Sequence, residues 1–169
     1  MKSTKRLAVC AMLSALGVVM LYMGALIEVI DISMAVLASL LCVFAVIEYG
    51  GSAPWLVYAV TGVLSLLLSP RTPSVMFVLF FGYYPILKEK LEAKSKKVCW
   101  IFKELIFNAA LAVMLTALRT MFLGTVEIPI ELMIIGIVLL EIIFVVYDFA
   151  LTRLISLYIF KIRKRLKIK

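Results

Sequence analysis

The sequence predicts an all-α integral membrane protein, a six-transmembrane-helix bundle with N-terminus and C-terminus both in the cytoplasm (N-in and C-in). Three observations predict it. First, 65% of the 169 residues are hydrophobic and the mean hydropathy is +1.16, where ordinary soluble domains hold roughly 45–50% apolar residues. A chain this short leaves much of its surface exposed when it folds in water, so that much apolar surface needs lipid as its solvent. Second, the apolar residues gather into runs close to the roughly 20 residues that cross a hydrocarbon core. Third, fifteen of the eighteen Lys and Arg residues fall in three short segments, the distribution that orients membrane proteins.

The first run, residues 7–27, carries no charge over 21 residues. It exceeds the roughly 7–15-residue core of a cleaved signal peptide and is followed by further apolar runs, so it is expected to remain as a mature helix. Glu28, Asp31 and Ser33 mark a polar turn, and residues 32–49 return across the membrane. Gly50, Gly51 and Pro54 end that helix. Residues 53–87 are too long for one ordinary crossing, and Ser69-Pro70-Arg71-Thr72-Pro73-Ser74 divides them into two shorter helices. Parity requires the same split, because a single crossing would place the lysine-rich residues 88–103 opposite the basic N-terminus. Residues 98–123 and 130–160 supply the fifth and sixth crossings.

The whole chain, residues 1–169, is thus expected to form a single transmembrane domain with a short basic cytoplasmic N-terminus, a basic central loop and a basic C-terminal tail. The opposite loops carry Glu28, Asp31, Glu127 and Glu131 with Arg71. Tyr22, Trp55, Tyr83, Tyr84 and Trp100 lie near the ends of runs, where aromatic rings favour the interface. The net charge of +8 is explained by these topogenic clusters, and nucleic acid is not expected as a partner.

Little in the sequence points to catalysis. It has no histidine, no CxxC spacing, no phosphate-binding glycine loop followed by Lys and Ser or Thr, and no nucleophile elbow. No enzyme activity, cofactor or metal is expected. Cys10, Cys42 and Cys99 read as free thiols behaving like small hydrophobic groups.

Two intramembrane constellations are candidates for binding. Arg119 is expected roughly 6 Å below the outer end of the fifth helix. There it reaches an anionic ligand, pairs with Glu131 or extends outward to the headgroups. Glu141 is expected roughly 20 Å down the sixth helix, level with Asn108 on the fifth. An intramembrane carboxylate needs a partner, so Glu141 binds a cationic or hydrogen-bonding ligand with help from Asn108, or bonds Asn108 structurally. Glu104, Asp148 and Arg153, further toward the cytoplasm, are assigned to mutual pairing.

Ala8, Ala11 and Ala15 share one face of the first helix, and Ala11-Met12-Leu13-Ser14-Ala15 is a small-xxx-small pair that lets another helix approach closely, from inside the protein or from outside. The opening Lys5-Arg6-Leu7-Ala8-Val9-Cys10-Ala11-Met12-Leu13-Ser14-Ala15-Leu16-Gly17-Val18-Val19 resembles the start of substrate-binding S components of energy-coupling factor transporters, which have six helices and a similar length. The motif covers about fifteen residues. The glycine-rich third helix of many members is echoed only in part by Gly50, Gly51 and Gly62.

The resemblance implies a membrane-embedded binding subunit for uptake of a small, vitamin-like nutrient, in a multi-pass location in a bacterial plasma membrane. It implies that Ala11 and Ala15 dock a transmembrane coupling subunit driven by two cytoplasmic ATPases. It also implies that substrate is gathered near the outer surface, where the irregular loop holds Arg71. The substrate set is then Arg71, Asn108, Arg119 and Glu141. The alternative is a non-enzymatic polytopic scaffold similar in size to rod-shape-determining membrane proteins, whose intramembrane charges hold helices together.

Overall fold

A computed structural model of the chain describes residues 2–92, 96–121 and 130–163, and the side chains of 4–27, 29–92, 100–113, 116 and 134–160. Among the described residues all regular structure is helical and no strand occurs. The chain divides into two units, Met1–Met114 and Leu115–Lys169.

In the first unit α1 (Lys2–Leu26) leads through a short 3-10 turn, Glu28–Ile30, into α2 (Asp31–Glu48). Gly50 and Gly51 then take the left-handed conformation, with φ of 55° and 57°. Glycine alone does this at no steric cost, and the Gly50 amide donates back to the Ala45 and Val46 carbonyls, closing α2. Pro54 lies in the first turn of α3 (Ala53–Leu68), where its missing N–H is no loss. Ser69 is extended, as a residue before proline must be, and the chain breaks at Ser69-Pro70-Arg71 as expected.

The next helix is itself discontinuous: α4 (Thr72–Met76), a π-helical turn (Phe77–Phe81) and α5 (Tyr84–Glu92). Pro85 explains the interruption. It has no N–H to offer the Phe81 carbonyl four residues back, and its ring crowds that carbonyl. The Gly82 amide donates instead to the Phe77 carbonyl at 2.7 Å, and the Tyr58 hydroxyl donates to the Val78 carbonyl at 2.9 Å. The remaining helices are α6 (Lys96–Met121) and, in the second unit, α7 (Ile130–Leu157), which runs into a π-helical turn at Tyr158–Arg163.

Among the described residues, three helices are long and apolar enough to cross a membrane: Thr4–Leu26, Asp31–Glu48 and Ile134–Phe160. The other expected crossings are shorter, divided or described only in part. α3 is apolar but shorter, at 16 residues, and the stretch 72–92 is divided. The side chains of α6 are described only at 100–113 and 116, so its full length stands outside that comparison.

The core of the first unit is built from small residues. α1 packs on α2 and α3 through Cys10, Ser14, Gly17, Leu21 and Gly24, which recur every three or four positions on one face. A Cβ at Gly17 would lie 2.9 Å from Thr61 Cγ2 of α3, and one at Gly24 would lie 2.8 Å from Met34 Cβ of α2. In a lipid surround there is little hydrophobic drive between helices, and close approach of this kind is then what supplies attraction, through van der Waals contact. Buried serines satisfy their hydroxyls on nearby carbonyls: Ser39 donates to Val36, Ser65 to Gly62, and Ser74 to Ser65. Large apolar side chains such as Leu67, Met12, Ile135 and Val146 are exposed, which suits a lipid surround.

Two aspects differ from the sequence reading. Tyr84 is a core residue rather than part of an interfacial belt: it is fully buried, its ring 5.0 Å from that of Phe80. The expected central basic loop is largely helical, since α5 continues to Glu92 and α6 begins at Lys96.

Candidate functional site

The alanine face of α1 is clearly placed. Ala8, Ala11 and Ala15 are exposed, alongside Leu7, Met12, Leu16 and Val19. The covered face, offset by about half a turn, is the one bearing Gly17 and Gly24. Internal helix approach therefore uses the glycines, and the Ala11–Ala15 pair remains open for contact from outside. The glycine spacing, seven residues in register with Cys10, Ser14 and Leu21, is a signal the sequence offered and the alanine pair overshadowed.

Arg71 sits in the break before α4 and is exposed. Its Nη1 donates to the Ala25 carbonyl at 3.1 Å, in the last turn of α1. That carbonyl has no intrahelical donor left, and a cation beside the helix C-terminus is favoured by the helix dipole. Arg71 thus holds the α1 terminus to the α3–α4 break. Arg6 does the same at the other end of the unit, its Nη2 donating at 3.0 Å to the Gly50 carbonyl after α2.

Asn108 is on α6, exposed, its Nδ2 donating to the Glu104 carbonyl one turn back at 3.1 Å. Arg119 lies on α6 beyond the unit boundary, and its side chain falls outside the described residues. Glu141 is half-buried on α7, roughly 17 Å along the helix from Ile130. Arg71 and Asn108 belong to the first unit, Arg119 and Glu141 to the second, so the four expected site residues fall into two pairs, one on each unit.

Sequence reasoning passed over an ionic cluster. Lys88 and Lys103 both approach Glu92 Oε1, at 3.3 and 3.0 Å, and both lysines are buried while Glu92 is exposed. α5 is thereby tied to α6. The Lys103 ammonium also lies 5.7 Å from the Trp100 ring, and that of Lys90 lies 5.8 Å from the Trp55 ring. From the sequence alone these lysines read only as topogenic charge, because their partners are set by the α5–α6 pairing.

Cys10 and Cys42 are buried free thiols. Among the described residues no group of Cys, Asp and Glu is placed to hold a metal ion. No known family, curated protein or solved structure matches the chain.

Proposed function

We propose that the chain is the membrane-embedded binding subunit of a nutrient importer, similar to the S components of energy-coupling factor transporters. It takes up a small vitamin-like molecule and is energised by a separate transmembrane coupling subunit with two cytoplasmic ATPases. On this reading the crossings are α1, α2, α3, the broken helix 72–92, α6 and α7, with both termini in the cytoplasm of a cell, where the basic ends lie. Arg71, Asn108, Arg119 and Glu141 contact substrate, Arg71 from the outer surface.

The observation that carries the reading is the exposed alanine face of α1 within the opening segment that bears the resemblance. Small side chains on an open face let a partner helix approach closely, which is what a coupling subunit needs. The alternative scaffold draws on the engagement of Arg71 and Asn108 with backbone carbonyls, a structural use of polar groups.

Native purification followed by mass spectrometry of copurifying small molecules and proteins separates the two. A bound metabolite together with ATPases supports transport. Morphogenesis proteins without a metabolite support scaffolding and overturn the transporter reading.

A further inference from the structure

The end of the first unit where α2 turns into α3 also receives the start of α1 and the end of α5. Arg6 of α1 bonds the Gly50 carbonyl, and Lys90 of α5 lies over Trp55 of α3. The described residues 5–6, 48, 88–92 and 100–104, which frame this end, hold five Lys and Arg against four Glu. Lys88 and Lys103 are committed to Glu92 inside the protein. Lys90 is two residues from both Lys88 and Glu92, hence roughly 200° round the helix from each. It points outward and is exposed. The internal cluster fixes α5, and so fixes where Lys90 stands.

Trp55 and Trp100 set the depth. Indole rings settle at the headgroup level of a bilayer, and each has a lysine ammonium within 6 Å of its ring. Lys90 is therefore held at the level of lipid phosphates, with Lys5 exposed at the same end. A basic cluster of four to eight charges beside membrane helices attracts anionic lipid, each lysine contributing about fivefold in affinity.

We propose that this end binds the headgroup of an anionic phospholipid, its phosphate seated on Lys90 beside Trp55 with Lys5 adding to the local field. The inference rests on the membrane reading above but not on transport.

The test uses the full chain in nanodiscs of phosphatidylcholine containing a minor fraction of phosphatidylglycerol, with native mass spectrometry of the lipids kept after release. The expected result is enrichment of phosphatidylglycerol over phosphatidylcholine, reduced about fivefold in Lys90→Gln and further in Lys5→Gln/Lys90→Gln. Excess inorganic phosphate, matched in ionic strength to chloride, should displace no more lipid than chloride does. Equal retention of both lipids, retention unchanged in both variants, or displacement specific to phosphate, which would mark a free-anion site, overturns the proposal. Failure of the parent chain to enter nanodiscs would instead defeat the membrane reading itself. Both lysines are exposed, so loss of the fold is not expected, and circular dichroism of each variant verifies it.

Discussion

Replacing Gly17 and Ala15 by leucine, one at a time, should separate the covered face of α1 from its open face. The Gly17 position has no room: an added Cβ falls 2.9 Å from Thr61 Cγ2, 3.2 Å from Thr61 Oγ1 and 3.5 Å from Leu41 Cδ1. Carbon atoms pack best at roughly 3.5–4.0 Å, so even the first atom forces a displacement of more than half an ångström. Thr61 is a poor absorber of that displacement, being fully buried and β-branched within a helix. Overpacking of this kind costs about 1–3 kcal/mol, and the rest of a leucine side chain adds to it. Ala15 faces outward, where a larger apolar group meets lipid or detergent, and a change within about 0.5 kcal/mol is expected.

The assay is thermal unfolding in detergent followed by a thiol-reactive fluorophore, in a Cys99→Ser background. Cys10 and Cys42 are buried and so report loss of the fold. Gly17→Leu should lower the midpoint by several degrees while Ala15→Leu leaves it near the parent. Equal destabilisation by both, or a Gly17→Leu midpoint at the parent value, would refute the assignment of faces.

The other expectations are these. In intact cells a single cysteine at Arg71 or Thr125 should react with an impermeant reagent while one at Lys94 or Lys167 does not; labelling at Lys94 defeats the six-crossing parity. Arg119→Gln and Glu141→Gln should each weaken binding of the copurifying nutrient tens-fold in calorimetric titration and leave ligand-free stability unchanged, whereas parent-like affinity in both rules these two out as ligand contacts. Tyr58→Phe removes the donor to the Val78 carbonyl and should cost about 0.5–1.5 kcal/mol, with faster amide exchange confined to residues 77–82; exchange spread evenly over the chain would show that the hydroxyl does not pin this turn. In a copurification assay Ala11→Trp and Ala15→Trp should lose the coupling subunit while staying folded, and undiminished recovery in both variants excludes that face as the docking surface.

The sequence by itself determined the helical class and the breaks after α2 and α3. These follow from local chemistry: apolar runs of membrane length, the Gly50-Gly51 pair that closes α2, and Pro70, which holds Ser69 extended and ends α3. The interruption of 72–92 before Pro85 emerged only in the structure. Only the tertiary structure decided which face of α1 is inside. Both faces are apolar and carry small residues, and where lipid is as apolar as the protein core, periodicity cannot tell the covered face from the open one. Glycine at 17 and 24 lies at the crossings because neighbouring helices come within contact distance there, a fact no single helix encodes. Arg71 and Lys88 were visible as charges, yet their roles depend on partners supplied by packing: the Ala25 carbonyl lies 46 residues away, and the Glu92 carboxylate that holds Lys88 is shared with Lys103 of the next helix. A charged side chain in a membrane helix must find a counter-group, but which one it finds is fixed only when the helices meet.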